Sequence, residues 1–252
     1  MSLQACANIV QRGDPDRFAA AMAAPVEARR VLFPLYAFNV EVARAPWVTE
    51  EPMIAEMRLQ WWRDALEEIA EGKQVRKHEV TTPLADVLHA PLAGSLDRLV
   101  QARRWDIYRD AFEDADHFDD YLKMTGGLLM WTAAHLLGAR INTTDRIFAL
   151  GRSTALVRFL KAVPALEARG RIPLVDGRSE TISVLAQDAL QHLPIMHPLQ
   201  EALPKPARGA LLEAWETEAL LRQIARTPTR VADGKIGLSE FRKRSRLIRW
   251  AL

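Results

Sequence analysis

Leu35-Tyr36-Ala37-Phe38-Asn39-Val40-Glu41-Val42-Ala43-Arg44 and Leu156-Val157-Arg158-Phe159-Leu160-Lys161-Ala162-Val163-Pro164-Ala165-Leu166-Glu167-Ala168-Arg169-Gly170-Arg171 are the two stretches on which the reading of this chain turns. Both read as helices, with apolar residues at helical spacing and no strand-like alternation. Their charged positions are mostly basic: Arg44, Arg158, Lys161, Arg169 and Arg171, against the lone carboxylates Glu41 and Glu167. Pro34 and Pro164 predict a kink or break near Phe33 in the first helix and a stop after Val163 in the second.

The same punctuation runs through the whole chain. Asp14-Pro15 opens a short Ala-rich helix, and Pro25 opens the helix that runs to about Ala45. Pro52 opens a helix closed by Gly72, with Ile54, Met57, Trp61, Leu66 and Ile69 at helical spacing. Thr82-Pro83 and Ser95 predict two shorter helices, ending near Leu92 and Arg109. Long helices follow over Asp116–Leu137 and Thr144–Val163, then a loop from Pro173 to Gly177 and a helix to about His192. A proline-rich connector carrying Pro194, Pro198, Pro204 and Pro206 precedes helices over about Ala207–Arg226 and Leu238–Trp250. The expectation is an all-α bundle in one domain over residues 1–252.

Composition narrows the function. In 252 residues, 34 Lys and Arg face 32 Asp and Glu, so no global field draws the chain to nucleic acid, and none is expected as a partner. A single cysteine excludes an internal disulfide and Cys-rich metal sites. With no signal-like start and no apolar run of spanning length, a cytoplasmic protein is expected, with contact at the inner membrane left open. Histidines at no zinc-like spacing and serines outside a nucleophile elbow support neither a zinc nor a serine hydrolase. The acidic run Glu113, Asp114, Asp116, Asp119 and Asp120 reads as a solvated helix N-terminus. Asp64, Glu67 and Glu68 share a helix face at metal-like spacing, although Arg63 beside them suggests an exposed stripe. Gly126-Gly127 inside a helix costs about 1 kcal/mol per glycine relative to alanine. Close helix packing and a persistent apolar cavity both account for that pair.

Taken in order, Pro25-Val26-Glu27-Ala28-Arg29, Leu35-Tyr36-Ala37-Phe38, Arg58-Leu59-Gln60-Trp61-Trp62-Arg63 and Tyr121-Leu122-Lys123-Met124-Thr125-Gly126-Gly127 resemble segments of the squalene/phytoene synthase family. The resemblance implies an isoprenoid-synthase-type helical bundle around a central cavity. In that family magnesium ions held by aspartates on two facing helices neutralise a departing diphosphate. Laid on the pattern Ala-Phe-x-x-x-x-Asp-Asp-x-x-Asp, the acidic positions fall on Ala43, Arg44 and Trp47; in the second motif they fall on Ala162, Ala165 and Leu166. None of these is a metal ligand, so no metal and no cofactor are expected unless the chain is catalytic, when magnesium is implied.

The Ala-Phe-Asn-Val-Glu and Arg-Leu-Gln-Trp-Trp forms look most like a branch containing a mitochondrial assembly factor for respiratory complex I. That resemblance implies a non-catalytic assembly or lipid-binding role with respiratory-complex assembly proteins as partners. The alternative is a prenyl-diphosphate transferase using displaced ligands among Glu41, Asp64, Glu67 and Glu167. Candidate cavity or anion-binding residues are Phe38, Asn39, Glu41, Arg44, Met124, Gly126, Trp131, Arg158, Lys161, Glu167 and Arg171. An isoprenoid diphosphate or lipid is the implied ligand, and solvated helix faces are the competing account of the cations. At the C-terminus, Phe241, Arg242, Lys243, Arg244, Arg246, Leu247, Ile248, Arg249, Trp250 and Leu252, the last of which lies outside the residues described below, suit either an anionic membrane surface or a docked helix with a basic outer face.

Overall fold

Prolines and acidic caps set the helix starts. In the computed structural model, which describes residues 2–251, the Asp14 carboxylate accepts the Arg17 backbone N–H and starts α2 (Pro15–Ala23) directly after α1 (Leu3–Gly13). There follow α3 (Val26–Arg44), α4 (Pro52–Ala70), α5 (Thr81–Ala85), α6 (Ala90–Ala102), α7 (Ala115–Leu122), α8 (Leu128–Leu136) and α9 (Thr144–Glu167). The remaining helices are α10 (Ser179–Gln191), α11 (Met196–Glu201), α12 (Lys205–Leu211), α13 (Thr217–Arg226) and α14 (Glu240–Ala251). Among the described residues there is no strand, and no helix is long and apolar enough to cross a membrane. The all-α expectation holds.

Several local expectations are corrected. Helix α3 runs unbroken through Pro34, because Leu32, Phe33, Leu35 and Tyr36 around it are buried and their packing outweighs one lost backbone hydrogen bond. Helix α9 likewise passes Pro164, carried on by the buried Leu166, and the turn after it is closed by Gly170 at φ +75°. Ser95 caps nothing: it lies inside α6, and its hydroxyl donates to the Pro91 carbonyl at 3.1 Å. The proline-rich connector contains α11, and the helix expected over Ala207–Arg226 is divided by a 3-10 turn at Leu212–Ala214.

The predicted Asp116–Leu137 helix exists as α7 and α8 joined by a π turn over Lys123–Gly127. That turn lies against α9. A Cβ on Gly126 would stand 2.7 Å from the Gly151 carbonyl oxygen, and one on Gly151 would stand 2.8 Å from the Gly127 Cα. The two backbones therefore approach as only glycines permit.

Two apolar clusters result. One gathers α1, α3, α4, α6, α8 and α12, with Tyr36 and Phe38 fully buried in it. The other gathers α7, α10, α13 and the C-terminal half of α9 around Phe112, Phe118 and Phe159. Helix α9 belongs to both, giving Ile147 and Leu150 to the first and Leu156 to Leu166 to the second. Gly151, Thr154, Ala155, Arg158, Ala162 and Ala165 of this helix face the space where the clusters meet.

The close approach predicts opposite responses to one added methyl group. Gly126→Ala and Gly151→Ala should each lose roughly 1–3 kcal/mol of stability by overpacking. Gly94→Ala, at a helix position with open space around it, should gain about 0.5–1 kcal/mol. Guanidinium unfolding of the three variants measures both, and a Gly126→Ala protein as stable as the parent would contradict the packing.

Candidate functional site

A cavity of about 440 Å³ opens where the clusters meet. One wall is a stripe of α9 at three- and four-residue spacing: Gly151, Thr154, Ala155, Arg158, Ala162, Ala165 and Leu166. Asn39 and Ala43 of α3 and Trp47 of the following 3-10 turn face it, with Leu122, Thr125 and Gly126 adding to the lining. Asp14, Arg17, Arg103, Asp106, Tyr121, Arg169 and Glu213 supply most of its polar lining.

At one end, Arg17 is 5% exposed and clamped between two carboxylates. Its Nε donates to Glu213 Oε2 and its NH1 to Asp14 Oδ2, each at 2.7 Å. Arg158 NH1 donates to the same Asp14 oxygen at 2.6 Å, and its NH2 lies 3.6 Å from Glu213. Burial pushes the Asp14 carboxyl up, but the Arg158 and Arg17 charges and the Arg17 N–H outweigh it and hold the group at about 2. Desolvation works against the Arg17 guanidinium, yet Glu213 and then Asp14 raise it above its ordinary range. The Tyr36 phenol lies against this network, 5.1 Å from ring centroid to Arg17 Cζ, and burial first, then Glu213, raise it well above the usual value.

A second buried polar group also lines the cavity. Arg103 NH1 donates to Asp106 Oδ2 at 3.1 Å and to the Tyr121 hydroxyl at 2.8 Å, and that hydroxyl donates to Asp106. Burial raises the Asp106 carboxyl from its ordinary value, against the pull of Arg103. The buried Arg171 donates to the backbone carbonyls of Trp105, Asp106 and Tyr108, and burial lowers its own value. Two guanidinium groups lie over the Trp47 ring, with Arg169 at 4.7 Å and Arg171 at 4.8 Å from its centroid.

The two degenerate motifs do meet across one space. Ala43, Trp47, Ala162, Ala165 and Leu166 all line the cavity, whereas Arg44 is exposed and pairs with Glu41 at 3.7 Å beside Trp61 and His78. Asn39, Gly126 and Arg158 of the candidate residues also line it. The others do not. Phe38 is buried against Trp62, Met124 packs on the first cluster, and Trp131 donates its indole N–H to Thr144. Lys161 pairs with Asp16 at 3.6 Å in a side pocket, Glu167 is exposed, and Arg171 is consumed by backbone carbonyls.

The donor set does not fit a magnesium cluster. Each cavity carboxylate is already bonded to arginine, and among the described residues no three His, Cys, Asp or Glu side chains are placed to share an ion. The displaced set fares no better: Asp64 pairs with Arg76 at 3.6 Å, Glu67 is exposed, and none of Glu41, Asp64, Glu67 and Glu167 lines the cavity.

Sequence reading missed Arg17, Arg103, Asp106, Tyr121 and Glu213, and saw Asp14 only as a cap. The one available signal was the pairing of a cap aspartate with an arginine three residues on, a spacing that also describes many exposed helix starts. Polar capacity remains: the side-chain Oδ1 of Asn39 and Nε of Arg103 are buried without a hydrogen-bond partner.

Comparison with known proteins places the fold and the family. The squalene/phytoene synthase family model matches residues 10–175. Among named relatives, the complex I assembly factor 6 homolog of Drosophila melanogaster is 26% identical over 251 residues, covering 88% of this chain and 75% of its own. The Homo sapiens complex I assembly factor 6 is 22% identical over 254 residues, covering 88% and 73%. Among solved structures, a dehydrosqualene synthase crystallised with a ligand superposes with a TM-score of 0.78 at 17% identity, over 98% of this chain and 94% of that one. A squalene synthase from Alicyclobacillus acidocaldarius gives 0.72 at 16% identity, over 90% and 94%. The fold is thus of the isoprenoid-synthase type, and with the family model matched over most of its length the chain belongs to the squalene/phytoene synthase family.

Proposed function

We propose that this chain is a non-catalytic member of its family that serves the assembly of respiratory complex I and keeps the cavity as a binding site for an isoprenoid or related lipid. The observation that carries the reading is the use of charge in the cavity. Where the family pattern puts metal-binding acids there are Ala43, Trp47, Ala162, Ala165 and Leu166, and the three carboxylates that do face the space serve as counter-ions to arginines. Neutralising a departing diphosphate needs unengaged anionic oxygens to hold magnesium, and freeing these would strand buried guanidinium groups. No magnesium requirement is therefore proposed.

The relatives named as complex I assembly factor 6 support the assembly role, and the ligand role rests on the cavity. It is within the size range of small-molecule sites, apolar along Leu122, Phe159 and Leu166, and carries the two unpartnered polar atoms near α3 and α6. Arg169, stacked on Trp47, is the cavity arginine without a carboxylate partner among the described residues.

Farnesyl or geranylgeranyl diphosphate incubated with the protein and magnesium should yield no condensed or dephosphorylated product by mass spectrometry. Metal-dependent product would make the chain a prenyltransferase. In the organism that carries it, removing the protein should reduce fully assembled complex I on native gels of membranes, and unchanged complex I would end the assembly reading.

Asp14 allows a test of the counter-ion role. Its folded value of about 2 lies below the ordinary aspartate value, so its contribution is complete above roughly pH 4 and is lost as pH falls through the folded value. Asp14→Asn should cost roughly 2–3 kcal/mol at neutral pH. The gap to the parent protein should narrow between about pH 4 and pH 2. A gap that does not change with pH in urea titrations would show that the Asp14 charge is not what stabilises the cluster, and no gap at all would leave Asp14 its cap role alone, which asparagine retains.

A further inference from the structure

Helix α14 divides its side chains cleanly between two faces. At 100° per residue, Lys243, Arg246, Leu247 and Trp250 point one way and are all partly buried. Lys243 Nζ lies 3.4 Å from Asp16 Oδ1, Arg246 Nε donates to the Trp215 carbonyl at 3.2 Å, and Trp250 packs on the first apolar cluster. That face docks the helix.

The opposite face is built differently. Phe241 and Ile248, seven residues apart and so within about 20° of each other around the axis, are 82% and 61% exposed. Arg244 flanks this apolar ridge on one side and Arg242 and Arg249 flank it on the other, all exposed. None of the three guanidinium groups meets a carboxylate among the described residues; the one acid of the helix, Glu240, lies 3.8 Å from Lys243. Ile195, 78% exposed, lines the same pocket as Trp250 and sets another apolar side chain beside the C-terminal end of the helix.

We propose that the outer face of α14 is a contact site for an anionic phospholipid bilayer, with Phe241 and Ile248 entering the headgroup boundary and Arg242, Arg244 and Arg249 meeting lipid phosphates. The ridge is convex and narrow. A fluid lipid surface accepts such a ridge without a shaped pocket, whereas a protein partner must supply one. Guanidinium groups on both flanks match phosphates on both sides of an inserted side chain, and their alkyl stems extend the apolar strip. With no helix suited to crossing a bilayer among the described residues, the contact lies in the plane of the surface.

Co-sedimentation of the whole protein with vesicles tests this. Phosphatidylcholine vesicles containing phosphatidylglycerol should bind it, phosphatidylcholine alone should bind weakly, and added salt should reduce the difference. Replacing Arg242, Arg244 and Arg249 together by glutamine should weaken binding by roughly a hundredfold, at about fivefold per arginine. Phe241→Ser with Ile248→Ser should weaken it on both vesicle types. Thermal unfolding should be unchanged in both variants, since neither touches the docking face. Equal partitioning on neutral and anionic vesicles, or no binding to either, overturns the proposal. So does concentration-dependent self-association abolished by the serine pair without vesicle binding, which would give the face to a second copy of the chain.

Discussion

A guanidinium group enclosed at 5% exposure is tolerable only if its charge is answered at once, and Arg17 is answered twice, by Asp14 and by Glu213. Removing a cation from water costs several kcal/mol, so the carboxylates are fixed to it as firmly as it is to them. Asp14 caps α2, Glu213 sits in the turn between α12 and α13, and Arg158 on α9 reaches both. Three parts of the chain meet in one charge cluster at the end of the cavity. Any cation seeking these oxygens competes with two arginines already in place, and winning would leave a buried charge unmatched.

The arginines around Trp47 obey the same rule by other means. Arg169 and Arg171 lie close together, a repulsive placement, and are held by the π face of Trp47 and, for Arg171, by three backbone carbonyls. An aromatic ring thus stands where the family pattern expects an acid, and it attracts the guanidinium groups without offering oxygen to a metal. Positive charge survives beside the cavity while the means of holding magnesium does not.

Helical class and most helix starts were legible because they are local: Asp14-Pro15, Pro25 and Pro52 act on the next turn of chain. Two prolines misled because what decides their effect is not local. Pro34 and Pro164 sit where buried neighbours hold the helix together through the missing hydrogen bond. The π turn was illegible for a related reason, since Gly126 and Gly127 are explained by Gly151 on another helix. Ala43, Trp47, Ala162, Ala165 and Leu166 line one cavity, whereas Phe38, Met124 and Trp131, expected beside them, do not. An apolar residue beside a motif reads the same whether it lines a cavity or fills a core. Glu213 lies 196 residues from Arg17, and no spacing in the sequence announces that pair.

Composition at the C-terminus left two readings that seemed exclusive, and the geometry shows why both had support. Basic and apolar residues are mixed along α14, but each face takes its own share, so the helix docks with one set and exposes another. Its seat is also connected to the cavity wall. Asp16 accepts Lys243 from α14 and Lys161 from α9, one turn beyond Arg158, so one aspartate joins the terminal helix to the helix that lines the cavity. Each such exposed pair contributes little alone. Asp16 stands two residues from Asp14 of the buried Asp14–Arg17–Glu213 cluster, so the contacts that seat α14 and those that hold the cavity arginines share one short stretch of chain at the start of α2.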